Sequence, residues 1–443
     1  MQNQGIRDAR SLGTPKLLVL GLQHMFAMFG ATVLVPALTG LSVSATLLFA
    51  GLGTLFFHFV TKGKVPAFLG SSFAYLAGYA AIAPNGEAAL LPYACVGVAA
   101  SGLLYLILAA LVRGFGANRV MRFFPPVVTG PIIICIGMTL ANSAINNCTG
   151  SWDIALVAIL TVVIFNIWGK GMLRIIPILL GVLVSYVYAA VTGRVDFSGV
   201  ASAAWIGLPV KMENTVFSLI GNCDANLLVT AIIAIMPIAF ATMIEHIGDI
   251  CAISSTVGAN FIADPGLHRT LLGDGLATSI ASLFGAPANT TYGENTGVLA
   301  LTRVYDPLVI RLAAVYAIIA SFCPKFAALV SAMPTGTIGG VSLILYGMIS
   351  AIGVRNLVEN RVDLAKSRNV IVVSLIISLA LGITFSAAGA ITFHVGEFTL
   401  NFSGLAVAAI VGIVVNAILP GKDYNFQNDY ENGKTTEDHG QML

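Results

Sequence analysis

Apolar runs of about 20 residues, the length that crosses a bilayer, follow one another along nearly the whole chain. That succession fixes the fold class before any motif is read. Only 9% of the 443 residues are charged, against 57% hydrophobic, whereas a soluble domain carries roughly 25% charge. A globular core could not hide so much apolar surface, because polar cover is already limiting on ordinary proteins. A bilayer removes the problem by being apolar itself. The runs number about 14: Lys16–Leu38, Ala45–Val60, Val65–Ala83, Leu91–Val112, Val120–Leu140, Ile154–Trp168, Leu173–Val191, Leu227–Ile250, Leu271–Phe284, Ala288–Thr302, Pro307–Val330, Ile338–Ile352, Val370–Ser386 and Leu405–Leu419. The expected class is an all-α polytopic membrane protein. The polar N-terminus lacks a small-residue cleavage site, so the first run is expected to stay as a span, and the polar tail after Pro420 is expected to be disordered.

The connections test the count. With the N-terminus in the cytoplasm and the spans alternating, 19 of the 22 basic residues fall on the cytoplasmic side, and only Arg194, Lys211 and Lys325 fall outside. Such a bias is the positive-inside pattern, and one miscounted span in the first half would scramble it downstream. Both termini are therefore expected in the cytoplasm. The charges form no patch that would hold nucleic acid. The six cysteines show no CxxC or Cys/His spacing, which is the pattern of ordinary buried thiols. A Cys148–Cys223 bridge is conceivable on the topology and nothing more.

Two runs are interrupted at matching places, the third by Gly70-Ser71-Ser72 and the tenth by Thr290-Thr291-Tyr292-Gly293. Seven spans per half is an odd number, so the halves would have opposite orientation. Backbone freed from a helix inside a membrane must find partners, either in the opposite break or in a ligand. Small residues at packed helix contacts would also account for one such break. Two in register point to a transporter's midplane binding site.

Ionisable side chains within spans are functional candidates. Glu245 and Asp249 are four apart and share a helix face, Glu294 directly follows the second break, and His24 lies in the first span. His246 points about 100° away from Glu245. His58 reads as a packing or interfacial residue, and Asp274 as ambiguous, near a span end where it would be solvated. No set of oxygen or His ligands at metal spacing can be assembled, and no nucleophile constellation, so an enzyme is not expected. A carboxyl held away from water can exchange a proton near neutral pH, and when ionised it accepts hydrogen bonds only. That suits proton-coupled carriage of a ligand rich in N–H donors. Pro125-Pro126, Pro131 and Pro177 would either kink spans or shape packing.

The stretch Glu294-Asn295-Thr296-Gly297-Val298-Leu299-Ala300-Leu301-Thr302-Arg303 resembles the signature of the nucleobase–ascorbate transporters, the nucleobase:cation symporter-2 family. Gln23-His24 and Glu245-His246 look like that family's second and third motifs. Flanking stretches such as LQHMFAMFGATVLVP and GKVPAFLGSSFAYL are similar to its uracil-transporting bacterial members, and the likeness runs from about residue 15 to about residue 420.

The resemblance implies two inverted repeats of seven segments, with short strands in segments 3 and 10. It implies a core domain at 16–113 and 227–331 and a gate domain at 114–192 and 332–420. Residues 193–226 would be an external connection, and 1–15 and 421–443 cytoplasmic tails. Glu245 and Glu294 would bind uracil by side chain. Phe73, Tyr292 and Gly293 would offer backbone groups, and Ala31, Phe73 and Tyr346 would pack on the ring. His24, Asn295, Gln23, His246 and Asp249 would support the site or the coupling proton. No cofactor is implied beyond the coupling proton. The implied setting is a bacterial cytoplasmic membrane, with a homodimer formed through the gates. Glu294 favours uracil, since purine-transporting relatives more often carry Gln there. Asp249 departs from uracil-transporting members that have histidine, so a xanthine or uric acid permease is the alternative, followed by an anion transporter on the same fold.

Overall fold

The computed structural model describes residues 5–221, 223–395 and 398–422. The described residues group into fourteen segments. Segments 1 and 2 are the helices Thr14–Thr39 and Val43–Val60. Segment 3 is strand β1 (Leu69–Ser71) followed by the helix Leu76–Ile82, and segment 4 is Leu91–Phe115. Segments 5, 6 and 7 are Pro126–Cys148, Trp152–Trp168 and Pro177–Val191. Segment 8 joins Ala225–Ile235 to Ala239–Val257 through one tighter turn, and segment 9 is Leu267–Leu283. Segment 10 is strand β2 (Asn289–Thr291) followed by Gly293–Thr302, and segment 11 is Pro307–Ser321. Segments 12, 13 and 14 are Thr335–Glu359, Ser367–Thr384 and Gly404–Ile418. By length and apolarity alone seven helices could each span a membrane, eight if the bent pair Pro307–Ser321 and Pro324–Ser331 counts as one. The remaining segments are shorter or broken, and they are held by their neighbours.

Local chemistry sets the ends. Ser42 accepts a hydrogen bond from the Ala45 amide at the start of segment 2, and Asp224 does the same for segment 8 through two amides. Such caps satisfy amides that have no partner within the helix. Pro126 and Pro177 each stand in the first turn of their helices, where a missing N–H costs nothing. They start segments 5 and 7 rather than kink them, and of the four prolines only Pro131 is interior.

The expected runs are all found, with corrections to their ends: segments 8 and 12 continue to Val257 and Glu359, past the expected Ile250 and Ile352. The fifth run was placed at Val120–Leu140, but residues 117–121 form a separate short helix and the segment extends to Cys148. The eleventh was read as continuous to Val330, but the chain turns by 89° after Ser321. An antiparallel hairpin, β3 (Ala390–Val395) with β4 (Phe398–Ser403), lies between segments 13 and 14, where no element was expected. Cys148 and Cys223 are both free thiols. The tail expected to be disordered lies outside the described residues from 423 onward.

The packing has a twofold pattern. Segment 4 lies against 9 as segment 11 lies against 2, and segment 6 lies against 12 as 13 lies against 5. Segment 1 touches 7 as segment 8 touches 14. Each pair turns into the other by moving seven segments along, which is what two superposable but inverted halves require. Segments 5 and 12 are each other's counterparts and make the most extensive contact. A Cβ on Gly137 would lie 2.2 Å from the Tyr346 carbonyl, so only glycine permits that approach.

The connections expected on one face do lie together. Lys64 pairs with Asp264, joining the 2–3 and 8–9 connections. Ile6 pairs with Val304, and the Arg7 guanidinium donates to the Val257 carbonyl at 2.9 Å. The first residues therefore clamp the ends of segments 8 and 10 on the basic face.

Candidate functional site

The two breaks meet. β1 and β2 run antiparallel with Leu69 opposite Thr291, Gly70 opposite Thr290 and Ser71 opposite Asn289. The pairing continues at both ends, where Ser72 N–H donates to Ala288 O and Tyr292 N–H to Phe68 O. Each strand thus supplies the partners that its neighbour's broken helix gave up. The strands are buried on every side.

Hydroxyls of flanking helices hold the pair in matching fashion. Thr54 Oγ1 of segment 2 accepts from Leu69 N–H at 2.9 Å, and Thr278 Oγ1 of segment 9 donates to Asn289 O at 2.8 Å. The Tyr292 hydroxyl donates to Ser71 O at 2.9 Å and receives the Thr32 hydroxyl at 3.4 Å. Its ring lies over Gly70, where a Cβ would come within 2.4 Å. Ser71 belongs to the break named from the sequence, whereas Thr32, Thr54 and Thr278 escape that reading. A Ser or Thr in mid-run, at matching places in the two halves, is the signal that would have found them.

Around the strands the structure gathers most of the expected residues. Ala31 and Tyr346 are fully or almost fully buried, and Phe73 crosses edge-to-face to the Tyr346 ring with centroids 5.6 Å apart. That contact links segment 3 to segment 12. Asp249 accepts from the Thr291 hydroxyl at 2.8 Å, and its carboxylate lies beside the backbone of Gly293. Glu245 is half-buried one turn earlier on the same helix. Glu294 is the second residue of the helix after β2, and its side chain lies outside the described residues. The amide of Asn295 donates to the His24 carbonyl at 3.3 Å and lies 3.2 Å from Nδ1 of the same ring. An amide N–H₂ only donates, so Nδ1 faces it as the acceptor in this arrangement. Nε2 of His24, the other atom Oδ1 of Asn295, Ser72 Oγ and Thr290 Oγ1 are buried with no hydrogen-bond partner among the described residues. Buried polar atoms left unpaired are costly, and here they cluster at the crossing, as a polar ligand's subsite would. Gln23 is buried beside His24.

His246 is placed elsewhere. It turns away from the strands into the packing of segments 2, 4 and 9, with Phe57 and Tyr105 edge-on to its ring. Its Nδ1 lies 3.2 Å from Asp274 Oδ2, and both side chains are fully buried. Asp274, read as solvated near a span end, is therefore a buried partner of His246. The span-end argument failed because segment 4, lying against segment 9, covers that face. His58 is also buried and hydrogen-bonds Ala67 O at 2.9 Å.

Comparison with known proteins agrees with the geometry. A profile described as "Permease family" matches residues 15–389. The chain is 42% identical to the uracil permease of Bacillus caldolyticus over 97% of its own length and 98% of that protein's. It is 38% identical to the uracil permease of Escherichia coli K12, over 90% of each. Among solved structures, the transmembrane domain of the cyanobacterium bicarbonate transporter BicA superposes with a TM-score of 0.63 at 13% identity, covering 94% of this chain and all of that one. The murine solute carrier 26 member A9 anion transporter gives 0.61 at 11% identity, over 91% of this chain and 67% of that one. At such identity the likeness is one of fold. The strand crossing, the repeat of seven and the near-full-length match converge: the chain belongs to the permease family that includes the bacterial uracil permeases.

Proposed function

We propose that this permease carries uracil into the cell together with protons, by alternating access across the bacterial cytoplasmic membrane. The observation that carries the reading is the β1–β2 crossing, with the Glu245 and Asp249 helix against one side of it and unpaired buried polar atoms around it. Uracil is small, planar and neutral, with two N–H donors and two carbonyl acceptors. Glu245 and Glu294 take the N–H edges, and backbone amides at Phe73 and Gly293 face the carbonyls, the Tyr292 amide already donating to Phe68 O. Ala31, Phe73 and Tyr346 sandwich the ring. A site built for such edges rejects analogues that leave a buried group unpaired. The names of relatives at 38–42% identity support the substrate.

Segments 1–4 and 8–11 act as the core and segments 5–7 and 12–14 as the gate, with Phe73 against Tyr346 at their junction. Rocking of one against the other exposes the crossing to either side. Carboxylates at the crossing exchange the coupling proton, with His24, Asn295 and Gln23 in support. His246, paired with Asp274, holds segment 8 in place from behind. Both termini face the cytoplasm, following the basic-residue bias, and two copies associate through their gates.

The test is uptake of labelled uracil into proteoliposomes, with and without an inward proton gradient, for wild type and Glu294→Ala. Gradient-driven uptake that the substitution abolishes is expected. Absence of uptake by well-reconstituted wild type overturns the substrate, and uptake indifferent to the gradient overturns the coupling. Competition by unlabelled xanthine distinguishes the purine alternative.

A further inference from the structure

Segment 11 has 15 helical residues. At about 1.5 Å per residue it rises about 22 Å, short of the roughly 30 Å hydrocarbon core. It ends at Ser321, and the chain then turns by 89° into Pro324–Ser331. That second helix therefore runs nearly at right angles to segment 11, at its end away from the basic face. Segment 7 is equally short, and its last residue, Val191, is 82% exposed.

The connection after segment 7 is pinned to this crosswise helix. Gly207 N–H donates to Phe322 O at 3.0 Å and Lys325 N–H to Ala204 O at 2.9 Å. The Tyr186 hydroxyl of segment 7 donates to Leu329 O at 2.8 Å, and its ring meets Phe197. Residues 197–210 contain no charged side chain, while Arg194 and Asp196 precede them and Lys211 and Glu213 follow. Within that stretch Trp205, Ile206 and Leu208 are 72, 84 and 81% exposed. Lys325 lies with its ammonium 5.1 Å from the Trp205 ring centroid.

Three adjacent large apolar side chains turned outward would be unfavourable in water. The spans on either side, segments 7 and 11, also carry exposed apolar side chains, Val187 and Ile319 among them. A tryptophan beside a lysine that snorkels is the chemistry of the headgroup boundary. We propose that residues 197–208 and 324–331 form a collar inserted into the bilayer interface on the face opposite the basic one, with Trp205, Ile206 and Leu208 as its lipid-contacting anchors.

The chain has three tryptophans, so Trp152→Phe with Trp168→Phe leaves Trp205 as the sole reporter in the full-length protein. It is reconstituted in phosphatidylcholine vesicles, with and without lipid brominated near the carbonyl end of the acyl chains. The expected result is blue-shifted emission, at least about twofold quenching by the brominated lipid, and little quenching by aqueous iodide, as for an interfacial ring. Iodide quenching without lipid quenching would overturn the proposal in favour of an aqueous loop. Quenching by neither would overturn it in favour of a contact between two protein copies. Should the double variant not fold, the difference between wild type and Trp205→Phe reads the same residue.

Discussion

Replacing Gly70 by alanine tests the strand crossing most directly. The added Cβ would stand 2.4 Å from Cε2 and Cζ of Tyr292 and 2.8 Å from its hydroxyl. Carbon atoms rest at about 3.5–4.0 Å, so the ring must retreat by about an ångström. It has nowhere to go, being 4% exposed and tied by its hydroxyl to Ser71 O. Overpacking of this kind costs about 1–3 kcal/mol, and losing the hydroxyl bond leaves a buried carbonyl unpaired at about 1–3 kcal/mol more. If about 1.4–2.8 kcal/mol of this falls on the substrate-bound state, affinity drops about ten- to a hundredfold. The assay is equilibrium binding of labelled uracil to purified protein, beside its thermal unfolding temperature. Gly347→Ala serves as control, since a Cβ there meets open space. Wild-type binding and unfolding temperature in Gly70→Ala would refute the packing argument.

Three further outcomes are expected. Glu245→Gln keeps the side chain's shape but removes its charge, and proton-driven uptake should fall about a hundredfold if the carboxylate accepts from the substrate, as a rate measurement across a proton gradient will read. Asp274→Ala leaves the buried His246 ring without its partner, a loss of about 1–3 kcal/mol, visible as a lowered unfolding temperature; Asp274→Asn should recover part of it. Thr291→Val deletes the donor to Asp249 and should cost about 1–3 kcal/mol, seen as weaker substrate binding by a protein that still elutes as a single species; unchanged affinity would remove Asp249 from the site.

Much of the architecture could be read in the sequence because it is written in run length and loop charge. The fourteen runs and the two breaks are set by hydrophobic thickness and by small residues, both of which are local properties. The same holds for Asp249 and Glu294, whose cost inside a span marks them. What escaped depends on neighbours. Thr54 and Thr278 look like ordinary span residues until the strands arrive beside them. Asp274 looked solvated because its depth was judged along its own helix, while segment 4 covers it from the side. The bend after Ser321 and the hairpin 390–403 lie in stretches whose apolar content does not distinguish a straight span from a turned one.

The twofold contact pattern also bears on how the protein rests between cycles. On the alternating-access reading proposed above, exchanging the shapes of two inverted halves converts a state open on one face into a state open on the other, so perfect equivalence would make the two states equal in free energy. The linkers break that degeneracy. The link between segments 6 and 7 is a short helical turn, Met172–Ile175, whereas its counterpart between 13 and 14 is a two-stranded hairpin that lies against the start of segment 8. Among the described residues the hairpin lies along the start of segment 8 over a wider contact than Met172–Ile175 makes with segment 1. On that reading, whatever free energy these contacts contribute unequally to the two states sets their standing ratio before any substrate arrives.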